Sequence, residues 1–263
     1  MSLRNRYSQQ AGFTLIEIAM VLLIMGLLLM GLVPSISGIM DRKYRQETFD
    51  QLDKIQQELL GFAITNGRLP CPASSTSNGR ESFCTSASGT CTATTATQTH
   101  GKCSNFHDGF VPAATLGITT FSNLGFVEDA WGNRIRYAVT SYSPDGEYVF
   151  TATNGMRKRG TNDLEPNLLV CSTATGITSS SCGSGNINGL TSNPGVPLII
   201  FSTGRNGGLG GAGTDEAANL NGDRLFVSHT PTVTSSPNGE FDDLAIWLSE
   251  NVLVERLVSA RKL

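Results

Sequence analysis

The apolar residues divide the chain into a short polar leader, one long apolar segment and a mixed remainder. Residues 1–12, MSLRNRYSQQAG, form the leader and include two arginines. The apolar segment Phe13–Val33 contains one charged side chain, that of Glu17. A helix of this length spans about 30 Å, which is the thickness of the hydrocarbon core of a bilayer. We therefore predict a transmembrane helix over residues 13–33, with the basic leader on the cytoplasmic side.

Apolar residues continue at helical spacing beyond this segment. The stripe consists of Leu52, Ile55, Leu59 and Phe62, with polar residues between them. Gly67 and Pro70 end the pattern. Pro34 removes one backbone hydrogen bond, so a kink is expected there. The pattern predicts one helix over residues 13–66, whose outer half packs its stripe against a head domain over residues 67–263.

The head contains runs typical of an antiparallel sheet. The predicted strands are Asn133–Ser141, Glu147–Ala152 and Val196–Ser202. The turn sequence Ser-Pro-Asp-Gly at 143–146 predicts a hairpin between the first two. Phe241–Leu263 is predicted to be a C-terminal helix, because its apolar residues share one face and the acidic pair Asp242 and Asp243 suits a helix start. The expected fold class is α+β, with long loops.

Composition points to an exported protein. The net charge is −3 and only 16% of residues are charged, which argues against nucleic acid as a partner. The six cysteines are Cys71, Cys84, Cys91, Cys103, Cys171 and Cys182. Their spacing does not suit zinc, and an even number in an exported chain favours disulfides. Of the 15 pairings that six cysteines allow, Cys171 with Cys182 is the first expectation, because they bracket a Gly/Ser-rich loop; free buried thiols are the alternative.

The junction between leader and apolar segment carries a resemblance. Its sequence, Ala11-Gly12-Phe13-Thr14-Leu15-Ile16-Glu17, resembles the signal of type IV pilins and of type II secretion pseudopilins. The resemblance implies a pilin-like fold and cleavage after Gly12 by a prepilin peptidase, which then methylates Phe13. It also implies a single-pass inner-membrane protein with a periplasmic head. Such a protein meets an inner-membrane assembly platform and joins other pilin subunits in a filament.

Glu17 is the unusual residue of the apolar segment. A carboxylate within an apolar helix costs several kcal/mol unless it is paired, and such residues usually have a function. Cleavage would create a partner, the α-amine of Phe13, which is mostly cationic at neutral pH. We expect the Phe13 amine of one subunit to pair with Glu17 of a neighbour and to fix the register of assembly. The alternative is a glutamate at the headgroup boundary.

Two runs in the head extend the resemblance. Glu128-Asp129-Ala130-Trp131-Gly132-Asn133 resembles the D-x-W-G-N signature of major pseudopilins. A Gly-rich segment that follows Phe201–Gly204 is similar to the calcium loop of those proteins. Its oxygen-bearing residues are Asp215, Glu216, Asn219, Asn221 and Asp223. They are the candidate calcium ligands, and a solvated acidic loop is the alternative.

These features favour a structural subunit over an enzyme. No known catalytic motif occurs, and the three histidines are scattered along the sequence. The first hypothesis is a minor pilin of a type IV pilus-like filament, because the head is large. The alternative within the same superfamily is a type II secretion pseudopilin that drives protein export. The alternative of another class is a filament-displayed adhesin or DNA-binding module, supported by the Ser/Thr-rich cysteine loop and the basic run Arg157-Lys158-Arg159.

Overall fold

The computed structural model describes residues 12–118, 124–192, 194–207 and 213–263, and the side chains of residues 29–37 also lie outside the description. The chain divides into two compact units, Met1–Tyr44 and Arg45–Leu263. The leader up to residue 11 lies outside the described residues, so its predicted removal stays a prediction.

Helices and short strands alternate along the described chain. The helices are α1 (Leu15–Asn66), α2 (Ala113–Leu116), α3 (Gly155–Arg159), α4 (Thr214–Asn219) and α5 (Glu250–Ser259), with a 3-10 turn at Ser184–Asn186. The strands are β1 (Phe83–Cys84), β2 (Thr94–Thr95), β3 (Gly109–Phe110), β4 (Arg136–Val139), β5 (Leu169–Cys171), β6 (Leu198–Ser202), β7 (Leu225–Val227) and β8 (Leu244–Leu248). Long irregular segments connect them.

The N-terminal unit is helical from Leu15 onward. Its side chains from Phe13 to Leu28 are exposed, and most of them are apolar. Where side chains are described, no helix is both long and apolar enough to cross a membrane. The backbone at Pro34 is helical, but its side chain lies outside the described part of the chain, so the predicted kink remains a prediction.

A four-stranded antiparallel sheet organises the second unit. Its strand order is β3-β4-β6-β8, so β6 lies inside the sheet between β4 and β8. Residues Arg136–Val139 of β4 pair with Phe201–Leu198, and Leu198–Ser202 of β6 pair with Leu248–Leu244. All five residues of β6 are buried, which fits a continuous apolar strand covered on both faces. The strands β5 and β7 form a separate parallel pair.

The main core lies between the sheet and the helices that flank it. From α1 it takes Leu52, Ile55 and Leu59, each at most 2% exposed, as the helical spacing of the stripe predicts. Tyr137 and Ile200 of the sheet belong to the same core, as do buried leucines of α5. The predicted α+β class, with a long N-terminal helix, an antiparallel sheet and a C-terminal helix, is confirmed.

Two predicted elements are wrong. Glu147–Ala152 forms turns instead of a strand, so the expected hairpin across 143–146 does not exist. Phe241–Leu263 is helical only from Glu250, because Leu244–Leu248 forms β8. In both cases the local apolar pattern predicted the wrong element. Both β4 and β8 pair with β6, which is distant from each of them in sequence, so a local pattern does not reveal the pairing.

The six cysteines form three disulfides. They are Cys71–Cys103, Cys84–Cys91 and Cys171–Cys182. The third is the pair that brackets the Gly/Ser-rich loop, as expected from the sequence. The disulfides tie the long loops of the head to its strands, since Cys84 belongs to β1 and Cys171 to β5.

Candidate functional site

The start of α1 presents the residues of the predicted assembly signal. Thr14 precedes the helix, and its backbone N–H and its hydroxyl both donate to Oε2 of Glu17, at 3.1 and 3.0 Å. The Glu17 backbone N–H donates to the Thr14 hydroxyl at 3.3 Å. This reciprocal arrangement is a capping box, which satisfies backbone donors that a helix start leaves unpaired. The sequence reading missed this role, although the Thr-x-x-Glu spacing signals it.

The second candidate site is a cluster of three buried carboxylates in the head. Glu216 lies in the first turn of α4, while Asp242 and Asp243 directly precede β8. Each offers an oxygen to a group in which all ligand atoms lie within 4.8 Å of one another. The three side chains are 1%, 9% and 5% exposed, respectively. We call them the acidic cluster.

Hydrogen bonds from neutral groups hold part of the acidic cluster. Glu216 Oε1 accepts from the Asp242 backbone N–H at 2.9 Å and from the Asn206 amide at 3.0 Å. Asp242 Oδ2 accepts from the backbone N–H groups of Arg205 and Asn206. Asp243 Oδ2 accepts from the Asn219 amide at 2.7 Å. Among the described residues, two buried oxygens here have no hydrogen-bond partner: Oδ1 of Asp242 and Oδ1 of Asn206.

The electrostatics of the acidic cluster favour protonation when no cation is bound. Burial, with repulsion from Glu216, raises the pKa of Asp242 to about 6. Burial also raises the pKa of Asp243 to about 8, against the opposing effect of the Asn219 hydrogen bond. In the described part of the chain neither aspartate forms an ion pair. Three carboxylates so close together and so deeply buried call for a proton or a cation.

The donor chemistry of the acidic cluster fits a hard divalent cation. Every available ligand atom is an oxygen, which suits Ca²⁺ and does not suit zinc or copper. Oδ1 of Asp242 and Oδ1 of Asn206, which accept no hydrogen bond from any residue the structure describes, would add one anionic and one neutral ligand atom. A bound cation would lower the pKa of both aspartates by offsetting their mutual repulsion.

The structure separates the five calcium ligands predicted from the sequence. Glu216 belongs to the acidic cluster, and Asn219 lies at the edge of the cluster, where its amide donates a hydrogen bond to Asp243. Asp215 does not belong to the acidic cluster. Its carboxylate accepts a hydrogen bond from the Asn238 amide and lies 3.1 Å from Nε2 of His229.

Asn221 and Asp223 lie in an exposed bend, where the Asn221 amide donates a hydrogen bond to Oδ2 of Asp223 at 2.9 Å. Residues 208–212 of the Gly-rich segment lie outside the described residues.

Sequence reasoning missed Asp242 and Asp243 as members of the site. It assigned them to a helix start, where acidic side chains are common. Their immediate neighbours, Phe241 and Leu244, are both buried. Two adjacent carboxylates within an apolar run are costly unless they are paired, and that was the available signal.

Asp129 explains the D-x-W-G-N run in structural terms. Its Oδ1 accepts from the backbone N–H groups of Trp131 and Asn133, at 2.9 and 2.8 Å. Its Oδ2 accepts from the Ser202 hydroxyl at 2.5 Å. The Asn133 amide in turn donates to the carbonyl of Gly204 at 2.6 Å. The turn is therefore tied to β6 and to the start of the segment that leads to the acidic cluster. Burial raises the pKa of Asp129, and these hydrogen bonds oppose that rise.

The basic run forms the short helix α3. Lys158 pairs with Glu147 at 2.5 Å, and Arg159 pairs with Asp145. Two of the three cations are thus engaged within the head, which weakens the case for a phosphate-binding surface.

Comparison with known proteins supports the reading of the N-terminus. Residues 7–33 match the family model of the prokaryotic N-terminal methylation motif. The chain is 35% identical over 65 residues to a type II secretion system core protein G of Klebsiella michiganensis. That match covers 25% of this chain and 46% of the relative, so it spans about half the relative's length. No solved structure matches the chain.

Proposed function

We propose that this chain is a structural subunit of a type IV pilus-like filament, because its N-terminus matches the prokaryotic methylation motif and resembles that of type IV pilins and pseudopilins. The observation that carries the proposal is the methylation motif at residues 7–33, which leads into α1. A prepilin peptidase would cut after Gly12 and methylate Phe13. The subunit would then wait in the inner membrane until an assembly platform adds it to other subunits. Its large head favours a minor subunit.

Glu17 would serve assembly through charge pairing. In the isolated chain Oε2 of Glu17 accepts both bonds from Thr14, and Oε1 takes no part in them. The Phe13 amine of a neighbouring subunit could therefore reach Oε1 without breaking the cap. In apolar surroundings such a pair offsets the desolvation of both charges, and it fixes the axial register of neighbours.

A calcium ion in the acidic cluster would stabilise the head. Glu216, Asp242 and Asp243 would hold it, with Asn206 as a neutral donor. The ion would supply positive charge where three carboxylates converge. It would thereby fix α4 against the segment that precedes β8.

A type II secretion pseudopilin is the second candidate. It is favoured by the match to a type II secretion system core protein G and by the oxygen-only acidic cluster. In that role the filament would be short and periplasmic and would drive protein export. Deleting the gene and measuring secreted enzymes against surface pili would separate the two machines.

The proposal is tested by Glu17→Gln in the full chain, expressed in the host that assembles the filament. We expect the variant to be processed normally but to disappear from the filament fraction, because the amide cannot pair with the amine. Asp53→Asn, an exposed change on the same helix, is the matched control. Normal filament incorporation of Glu17→Gln would contradict the proposed assembly role.

A further inference from the structure

A groove of about 480 Å³ lies beside α1 in the second unit. One wall is the helix, and the other is the segment that includes Val127 and Glu128. Ile55 and Val127 are apolar and buried at this position. The carboxylates of Glu47, Asp50, Glu58 and Glu128 and one ammonium group, that of Lys54, also line it. We call this feature the acidic groove.

The acidic groove is charged and accessible. Its three helical carboxylates are exposed and recur at positions 47, 50 and 58, which places them along one face of α1. None of its four carboxylates forms an ion pair with any residue the structure describes. Asp129 also lies there, but the bond from Ser202 engages its side chain. Four carboxylates against one lysine leave an unbalanced negative surface.

A surface of opposite sign lies at the C-terminal end of α1. Lys262 Nζ donates to the Thr65 carbonyl at 2.8 Å, so the chain terminus reaches this end of the helix. A Cβ placed on Gly67 would lie 3.9 Å from Oδ1 of Asn154, the residue that precedes α3. Two basic segments therefore meet there. We call this surface the basic end; it comprises Arg157, Lys158, Arg159, Arg261 and Lys262.

The basic end keeps cations that its own chain does not pair. Lys158 and Arg159 are engaged by acidic residues of the head. Arg157 and Arg261 are exposed, and among the described residues neither forms an ion pair. The excess positive charge is available to a partner.

Helix α1 sets the distance between the two surfaces. Glu58 of the acidic groove lies eight residues before residue 66, where the basic end meets α1, which at 1.5 Å per residue is an offset of about 12 Å. Among the residues that the structure describes, Arg157 forms no ion pair with Glu58 of its own chain. Two different complementary surfaces on one chain make a head-to-tail contact, and such contacts generate open helical filaments when the rotation does not close.

We propose that the acidic groove receives the basic end of a second copy of this chain, shifted by about 12 Å along the helix direction. The proposal rests on the proposed filament function and names the contact between heads within it. Arg157 of one copy pairs with Glu58 of the next, and the remaining charges on both surfaces supply long-range attraction.

Charge reversal and charge exchange in the full chain test the contact, with incorporation into sheared filaments as the measurement. Glu58→Lys and Arg157→Glu are each expected to lower incorporation about tenfold, since a like-charge contact costs on the order of 1.4 kcal/mol or more. The double variant Glu58→Lys/Arg157→Glu restores the attraction and most of the incorporation. Asp53→Lys, an exposed reversal on another face of α1, should have no effect.

Each outcome decides between the contact and its rivals. Loss in Glu58→Lys without rescue by the double variant would mean that another protein occupies the groove, and would overturn the proposal. Normal incorporation of both single variants would also overturn it. Glu47→Lys repeats the test at a second groove position, and unchanged mobility on non-reducing gels checks that the disulfides formed. If the wild-type chain is absent from the sheared filaments, the filament function itself fails; if the wild-type chain is present and the groove variants assemble as well as it does, the function stands and this contact fails.

Discussion

Asp242 and Asp243 are adjacent in the chain, and both have a raised pKa, but by different amounts. Asp242 receives two backbone N–H donors on one oxygen, and its pKa rises to about 6. Asp243 is more deeply buried, receives one amide bond, and its pKa rises to about 8. The ordinary value for both is 3.8. Both residues are aspartates, so the difference in pKa comes from their surroundings, chiefly from burial. A bound cation would therefore change the pKa of Asp243 more than that of Asp242.

These raised pKa values predict how stability depends on pH. Between the ordinary pKa of 3.8 and the native value of about 8, the folded state holds more protons than the unfolded state. The free energy of unfolding therefore falls as pH rises through this window. With a chelator present, we expect the thermal midpoint of the full chain in detergent to fall from pH 5 to pH 8.

Calcium should remove this pH dependence. At a free concentration of about one hundred times its Kd, a ligand stabilises the folded state by about 2.7 kcal/mol. The effect should grow with pH, because protons compete for the same oxygens. Asp243→Asn should flatten the upper part of the chelator curve and weaken the calcium response. An equal calcium response in wild type and in Asp243→Asn would argue against the acidic cluster as the site.

Asp129 has a structural role, because its carboxylate holds a turn together and ties that turn to β6. Removing its carboxylate in Asp129→Ala leaves the N–H groups of Trp131 and Asn133 and the Ser202 hydroxyl without their acceptor. We expect a loss of about 3 kcal/mol in the free energy of unfolding, as for other buried bonds to a charged group. Urea unfolding of the full chain in detergent measures it, with Asp53→Ala as the exposed control. A loss no larger than the control's would show that the turn does not depend on Asp129.

At the scale of elements, the sequence was informative wherever the pattern was local and long. The stripe of α1 was predictable because Leu52, Ile55 and Leu59 repeat at helical spacing, and each is buried. Strand β6 was predictable from its continuous apolar run. Strand β8 was not, because Leu244–Leu248 can satisfy a helical face equally well until β6 pairs with it.

The candidate sites divide in the same way. The predicted cleavage junction and Glu17 lie within one short motif that the sequence shows directly. The acidic cluster joins residue 216 to residues 242 and 243 because α4 lies close to the segment that precedes β8. No local spacing encodes that meeting, so the sequence indicated Glu216 and overlooked both aspartates.

The stripe of α1 predicts a large cost for truncation. Leu59 is fully buried, so Leu59→Ala should lower the free energy of unfolding by about 2–5 kcal/mol, through lost apolar contact and a residual cavity. Gln57→Ala, exposed on the same helix, should change it by less than about 0.5 kcal/mol. Equal effects of the two changes would mean that α1 does not pack on the sheet as described.

At the scale of the whole molecule, the proposed function assigns assembly to one unit and contacts between heads to the other. The first carries the match to the N-terminal methylation motif and the exposed apolar side chains from Phe13 to Leu28. The second carries the disulfide-tied head, the acidic groove and the basic end. Under the proposed function both units act in a repeating assembly, in which the acidic groove and the basic end of different copies meet.

Prepilin processing is the premise on which the filament account depends. The most direct test is intact-mass and N-terminal peptide mass spectrometry of the protein purified from membranes of its native host. The account predicts a chain that begins at Phe13 and carries one added methyl group on its α-amine. A chain that retains residues 1–12 in the presence of the peptidase would contradict it, and the protein would then be an anchored exported domain with no route into a filament.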